Sequence, residues 1–189
     1  MTVLQGALPD SLLIGGEIFP IFTDFRNWMQ IEIIMHEESG SFLEKIPKLL
    51  KLCYAKLPQS MEEALHAMAL FYMGKEDDKR GVRENRKSRR LYSFRQDAEL
   101  IYAAFYQQYG MDLSDACLHW WQFRALFAGL GKETRFIQVV SYRAMDLSQI
   151  KNAAEKKFYQ RMKARYALQD VRSREEREAD LAASLEQIF

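Results

Sequence analysis

Apolar residues are densest between Leu91 and Leu168, a stretch that holds 15 of the chain's 24 aromatic side chains. Its centre is the segment HWWQFRALF, from His119 to Phe127. As a helix, this segment would be apolar on two faces, so neighbouring helices must enclose it. We therefore predict a buried central helix with Ser114 as its N-cap. One face would carry Ala116, Trp120, Phe123, Phe127 and Leu130, and the other Leu118, Trp121 and Ala125.

Helices with one apolar face are predicted on both sides of this central helix. The upstream helix would end at Gly110, because glycine often terminates helices. Gly129 and Gly131 would end the central helix before a short third one, and Asp146 would cap a fourth. The inner faces would be Phe94, Ala98, Ile101, Phe105 and Tyr109 upstream, then Phe136, Ile137 and Val140, and finally Leu147, Ile150, Ala154, Phe158 and Met162.

The N-terminal part begins with a different pattern. Two short apolar runs flank Gly15-Gly16 between Ser11 and Phe22, which predicts a tight β-hairpin. Pro20 cannot donate to a strand ladder, so its strand should lie at an edge. Three helices should follow: one capped by Thr23, one over Phe42–Tyr54 that begins or kinks at Pro47, and one from Ser60 to Gly74.

Together these patterns predict a mainly α protein, a multi-helix bundle with a small N-terminal β-hairpin. We divide it into a hairpin and helical lobe (1–74), a basic flexible loop (75–90), an aromatic helical core lobe (91–168) and an amphipathic C-terminal extension (169–189). We expect the whole to form one compact domain. Trp120, Trp121, Phe123, Phe127, Phe105 and Tyr142 are predicted to organise its core. The tryptophan pair could instead be a partner hot spot, but a helix that is apolar on both faces favours burial.

Composition narrows the possible functions. The net charge of +1 gives no overall attraction to nucleic acid or anionic membranes. Two cysteines cannot form a disulfide framework, which favours a reducing cytoplasm. We expect no signal peptide and no membrane span, because the N-terminus lacks a basic and apolar leader and no apolar run approaches ~20 residues.

No arrangement of residues in the sequence predicts catalysis, a metal site or a cofactor. Cys117 and His119 are too few for a tetrahedral metal site. The Gly129–Thr134 segment resembles a phosphate loop, but it lacks the first glycine and the Ser or Thr after Lys132. The cluster Asp77-Asp78-Lys79 lies in the predicted loop, where nothing would hold metal ligands rigidly. We therefore expect a protein that is not an enzyme.

Basic residues are concentrated in the Arg80–Arg90 segment, which could contact phosphates and release counterions. The candidates are Arg83, Arg86, Lys87, Arg89 and Arg90. The segment lacks the interleaved aromatic rings on which single-stranded bases stack. Nucleic-acid binding by an accessory protein is therefore retained as an alternative, and nucleic acid is an unlikely partner.

Three segments resemble one protein family: FRQDAELIYAAFYQQYGMDL from Phe94, HWWQFRALFAGL from His119, and YRAMD from Tyr142. Together with TDFRNW at 23–28, they resemble the bacteriophage "gene product fifteen" family of tailed phages and prophages. Such proteins are generally encoded between the major tail protein and the tape-measure protein. The resemblance implies a tail assembly chaperone that binds the tape-measure protein, in the cytoplasm of the infected or lysogenic host and absent from the mature virion.

A chaperone of this kind needs apolar surfaces that cover amphipathic helices of its partner. The candidate partner-binding residues are Leu181, Leu185 and Ile188, which form a narrow C-terminal stripe, and the edge of the 11–22 hairpin. Self-association of copies along one extended partner is also conceivable. A structural tail subunit remains a third possibility.

Overall fold

A computed structural model describes residues 6–74 and 90–169. The described residues form seven α-helices and one two-stranded antiparallel sheet, which confirms the mainly α fold class with an N-terminal hairpin. Most of the predicted basic loop and the predicted C-terminal extension lie outside the described residues. The Asp77-Asp78-Lys79 cluster lies outside them as well.

The hairpin pairs β1 (Ser11–Ile14) with β2 (Glu17–Pro20). Gly15 and Gly16 have φ angles of 56° and 86°. A two-residue turn with both φ angles positive matches the right-handed twist of the strands, and glycine adopts it without strain. Local chemistry therefore sets the hairpin, as the sequence predicted.

Three helices follow in the N-terminal half: α1 (Phe25–Glu37), α2 (Phe42–Cys53) and α3 (Met61–Met73). Ser41 and Ser60 cap α2 and α3 through their side chains, and Gly74 ends α3 in the left-handed conformation. The prediction of Thr23 as the cap of α1 is wrong. Asp24 has that role, because its carboxylate accepts the N–H of Arg26. Pro47 lies inside α2, which already begins at Phe42.

The C-terminal half contains α4 (Ala98–Tyr109), α5 (Trp120–Ala128), α6 (Arg135–Ala144) and α7 (Ala153–Arg165). Gly110 ends α4 with a φ of 62°, as predicted. Thr134 caps α6 by accepting the N–H of Ile137. The Gly129–Thr134 segment, whose sequence resembles a phosphate loop, forms the connection between α5 and α6.

The central helix is shorter than predicted and has another N-cap. It begins at Trp120, so Ala116 and Leu118 are not on it, and Ser114 belongs to a turn around Asp112. His119 takes the capping position: its Nδ1 accepts the Trp121 N–H at 3.0 Å, and the Gln122 side chain accepts the His119 N–H at 3.0 Å. This is the reciprocal geometry of a capping box, with imidazole in place of a hydroxyl.

The fourth predicted helix also differs from the structure. The Asp146 carboxylate accepts the N–H of Ser148 and closes a local turn, so no helix starts there. Asn152 caps α7 instead, by accepting the N–H groups of Ala154 and Glu155. Leu147 and Ile150 therefore lie before the helix, and the predicted inner face is not formed.

The described residues divide into two compact units. Unit 1 contains residues 6–74 and Leu118–Gln122, and unit 2 contains residues 90–117 and 123–169. The sequence pattern predicts Leu118–Gln122 to be part of the aromatic lobe. In the structure they join unit 1, where the Trp120 N–H donates to the Thr23 carbonyl at 2.8 Å and the Phe25 N–H donates to the Leu118 carbonyl at 3.1 Å.

Each unit has its own aromatic core. In unit 1, Trp28 contacts Phe71 and Trp120 at ring-centroid distances of 4.6 and 6.3 Å. In unit 2, Phe105 stacks on Phe123 at 5.2 Å with nearly parallel rings. Aromatic pairs of this kind add to the stability that burial of their area provides.

Candidate partner-binding surface

The outward face of the hairpin is apolar and exposed. Leu13 and Ile18 are direct cross-strand partners, and their exposed fractions are 70% and 72%. The opposite face carries Ile14 and Phe19, which are buried. Side chains alternate between the two faces of a strand, so burial of one face turns Leu13 and Ile18 to solvent. Ser11 and Pro20 are the other cross-strand pair on this outward face, so within the two strands the face carries no charged side chain.

Among the described residues, β1 pairs only with β2, so the register leaves its other edge without a strand partner there. The Ile21 N–H donates to the Asp10 carbonyl at 2.9 Å, so hydrogen-bonded pairs alternate from Asp10–Ile21 to Leu12–Phe19. Ser11 and Leu13 therefore direct their backbone N–H and C=O groups away from β2. Pro20 falls in a non-hydrogen-bonded pair, where its missing N–H costs nothing, in agreement with the predicted edge position.

Three acidic residues lie just after the turn of the hairpin and at the start of α3, which contacts β1. The Glu63 carboxylate lies close to Gly15, since a Cβ at that glycine would be 3.5 Å from its Oε2. Glu17 follows the turn, and Glu62 precedes Glu63 at the start of α3. All three side chains are exposed. We call Glu17, Glu62 and Glu63 the acidic turn.

Helix α7 has no buried residue, although it is 13 residues long. Its inner side contacts α6 of the same unit through aromatic rings: the Tyr142 ring lies 6.3 Å from those of Phe158 and Tyr159, and 6.0 Å from that of Tyr166. Its outer side is exposed along Lys157, Arg161 and Arg165, which are spaced by four residues and share one helix face. We call these three residues the basic stripe.

The predicted core-organising residues divide between the two units. Trp120 and Trp121 are buried in unit 1, where their indole N–H groups donate to the carbonyls of Tyr72 at 3.0 Å and Phe71 at 2.8 Å. Phe105 and Phe123 are buried in unit 2, and Phe127 is half-buried there beside Phe94 and Phe136. Tyr142 belongs to the separate ring cluster at α7.

Other chemically active side chains have structural partners. His119 Nδ1 accepts the Trp121 N–H, so Nε2 carries the proton and donates to the Pro9 carbonyl at 3.0 Å. Ser114 donates to the Asp112 carboxylate through both its N–H and its hydroxyl, which lowers the pKa of Asp112. Burial raises the pKa of the Cys53 thiol to about 12. Within 6–74 and 90–169, no three His, Cys, Asp or Glu side chains are grouped as metal ligands.

Several predicted site residues cannot be placed. Leu181, Leu185 and Ile188 lie outside the described residues, as do Arg83, Arg86, Lys87 and Arg89. Arg90 is described and is half-buried at the start of unit 2. Sequence patterns identified the hairpin but missed its exposed Leu13–Ile18 pair and the basic stripe. The alternation of side chains along the strands beside Gly15-Gly16 could have predicted the exposed pair. The spacing of four residues between Lys157, Arg161 and Arg165 could have predicted the basic stripe.

Comparisons with known proteins identify the family. The profile of the family described as bacteriophage Gp15 protein matches residues 4–168. No curated protein and no solved structure matches the chain. In the described ranges, no helix has both the length and the apolar character needed to cross a bilayer. The profile covers most of the 189 residues, so the chain belongs to the bacteriophage Gp15 protein family.

Proposed function

We propose that this protein is a non-enzymatic chaperone of phage tail assembly that binds the tape-measure protein. Two observations support this function. The first is that the chain belongs to the bacteriophage Gp15 protein family. The resemblance described above implies that members of this family are generally encoded beside the tape-measure protein. The second is the exposed Leu13–Ile18 pair, which gives the protein an apolar surface suited to another polypeptide.

The exposed Leu13–Ile18 pair is the main structural support for the proposal, because apolar side chains that face water are stabilised when a partner buries them. Two large aliphatic side chains that face solvent side by side gain ~1.5–3 kcal/mol each when a partner buries them fully. Pro20 extends the same face, and the backbone groups of Ser11 and Leu13 that point away from β2 border it. The apolar stripe of an amphipathic helix fits such a face, with its polar side left in water.

A contact of this size is weak, which suits a chaperone that must later be displaced. Many copies along one extended tape-measure chain would bind by avidity, since each bound neighbour raises the effective concentration of the next. The protein would act in the cytoplasm of the bacterial host and leave before the tail is complete. Mass spectrometry of purified virions tests the last point, because a structural tail subunit would be retained there.

The direct test is co-purification. Tagged protein is co-expressed with overlapping fragments of the tape-measure protein encoded beside it, and we expect at least one fragment to co-purify. The double variant Leu13→Thr/Ile18→Thr should lose the fragment, while threonine keeps the strand propensity of the hairpin. Leu43→Gln is the matched control, because Leu43 on α2 is equally exposed at 75% but lies away from the hairpin strands.

Two results would contradict the proposal. One is that the wild-type protein retains no fragment from any part of the tape-measure protein. The other is that the hairpin double variant, folded by circular dichroism, retains fragments as well as Leu43→Gln does.

A further inference from the structure

The two units carry opposite charge. The described residues of unit 1 (6–74 and 118–122) contain 5 Lys/Arg and 9 Asp/Glu, so their net charge is 5 − 9 = −4. Those of unit 2 (90–117 and 123–169) contain 12 Lys/Arg and 7 Asp/Glu, so their net charge is 12 − 7 = +5. A chain that is nearly neutral as a whole therefore presents two surfaces that attract each other between copies.

On unit 2, positive charge is concentrated on the basic stripe. Within the described residues, the side chains of Lys157 and Arg161 make no hydrogen bond or ion pair, and the guanidinium of Arg165 lies 5.5 Å from the Tyr166 ring. Like charges four residues apart destabilise a helix. The helix dipole favours Arg165 in the last turn but does not favour Lys157 near the middle. An anionic partner that covers the stripe would offset this repulsion.

The shape of this face favours a close contact. Ala153, Ala154 and Ala164 flank the three cations on the same side of α7, and all of them are exposed. Small residues let another surface approach the helix backbone. Phe158, which is 39% exposed, lies at the border of this face and adds apolar area. The stripe extends about 12 Å along the helix axis at 1.5 Å per residue.

On unit 1, the acidic turn has the complementary properties. The carboxylates of Glu17, Glu62 and Glu63 have no hydrogen-bond or ion-pair partner within the part of the chain that the structure describes. Three carboxylates thus match three cations in number. Met61 adjoins Glu62 and is 52% exposed, so this surface also combines charge with apolar area.

We infer that the acidic turn of one copy docks on the basic stripe of a second copy, so that the protein associates head to tail with itself. Because the two surfaces differ, the contact is heterologous, and a pair of copies keeps one free basic stripe and one free acidic turn. Such an interface builds a row or a ring rather than a closed two-fold dimer. The association goes beyond the proposed tape-measure binding and does not depend on it, since the Leu13–Ile18 face is not part of the contact.

Sedimentation velocity of the purified full-length protein tests this inference without any partner protein. We expect concentration-dependent association at about 0.05 M NaCl and monomers at about 1 M, because the Debye length falls to about 3 Å at the higher salt. Lys157→Glu/Arg161→Glu and, separately, Glu17→Lys/Glu63→Lys should each weaken association on the order of a hundredfold, since like charges then face each other. Lys132→Glu/Lys151→Glu is the control for the stripe variant, because it makes the same change in net charge away from the stripe.

A mixture of the two reversed variants gives the decisive result. The acidic stripe of one variant should pair with the basic turn of the other, and the unchanged surfaces should pair as well, so association should return at low salt. The inference is overturned if the wild type stays monomeric at low salt, if neither reversal weakens association, or if the folded variants fail to associate when mixed. A different result would overturn it as well: a wild-type protein that is monomeric but binds single-stranded DNA, and that loses this binding when the stripe is reversed. Loss of self-association with tape-measure binding intact would leave the proposed function standing.

Discussion

The guanidinium of Arg143 forms a bidentate ion pair with the carboxylate of Asp97 inside unit 2. Its Nη1 and Nη2 atoms lie 2.6 and 2.8 Å from Oδ2 and Oδ1 of Asp97. The exposed fractions of the two side chains are 7% and 2%. Arg143 also donates to the carbonyls of Leu91 and Tyr166, and Asp97 accepts the Ser93 N–H. One ion pair thus joins the start of α4, the end of α6 and the segment after α7.

Removal of one partner of this pair should strongly destabilise the protein. We expect Arg143→Met or Asp97→Asn to lower the free energy of unfolding by ~3–5 kcal/mol, because a buried charge or dipole is left without its partner. Urea denaturation followed by circular dichroism measures the change. Arg143→Lys should not restore stability, since an ammonium cannot make the bidentate contact. A loss below about 1 kcal/mol, the usual value for an exposed pair, would show that the pair is solvated.

The His119 cap should contribute measurably to stability. His119→Ala removes the acceptor for the Trp121 N–H, and we expect a loss of about 1 kcal/mol, as for other N-cap deletions. His119→Asn should retain most of the stability, because an amide oxygen also caps helices well. Thermal or urea denaturation of the two variants compares them directly. Equal destabilisation by Ala and Asn would assign the effect to the Pro9 hydrogen bond instead.

Trp121→Ala should destabilise unit 1 by ~3–5 kcal/mol, because it leaves a large cavity and removes a donor from the Phe71 carbonyl. This is a large part of the ~5–15 kcal/mol that an ordinary domain has. Trp121→Phe should cost less, since most of the ring volume remains. Intrinsic tryptophan fluorescence and urea denaturation measure both variants. An unchanged stability of Trp121→Ala would contradict its burial.

The two cysteines should differ in reactivity towards thiol reagents. Cys53 is fully buried and burial raises its thiol pKa to about 12, whereas Cys117 is exposed. The thiolate is the reactive species, so at pH 8 only one thiol per native chain should react rapidly with a disulfide reagent. Cys117→Ser should abolish the rapid reaction, and denaturation should release Cys53. Rapid modification of Cys53 in the native Cys117→Ser variant would show that its pocket opens easily.

The same burial should make stability fall at alkaline pH. The Cys53 pKa is raised on folding, so its contribution is fully present below the ordinary thiol pKa of about 8.5 and declines as pH rises towards 12. Burial also raises the pKa of the neighbouring Tyr54. We expect Cys53→Ala to make the decline in unfolding free energy between about pH 9 and 11 less steep. Urea denaturation across this range measures the slope, and an unchanged slope would count against the prediction.

The elements that sequence patterns predicted well depend on chemistry between near neighbours. Gly15-Gly16 defines the hairpin turn, Ser60 caps α3, and Gly74 and Gly110 end helices, all through contacts within a few residues. The errors arose where a competing local group was available. Asp24 rather than Thr23 caps α1. Asp146 closes a local turn where α7 was predicted to start. The imidazole of His119 caps α5, where the hydroxyl of Ser114 was predicted to do so.

The amino-acid sequence by itself determined the mainly α fold, the hairpin and the family, because periodicity, turn residues and long matching segments are properties of the chain alone. Only the tertiary structure decided which neighbours cover each apolar face. It divided the aromatic segment between two cores, with Trp120 and Trp121 in unit 1 and Phe123 in unit 2. It also left Leu13 and Ile18 exposed and no residue of α7 fully buried. Periodicity shows that a face is apolar, but contacts distant in sequence determine whether another part of the chain covers it.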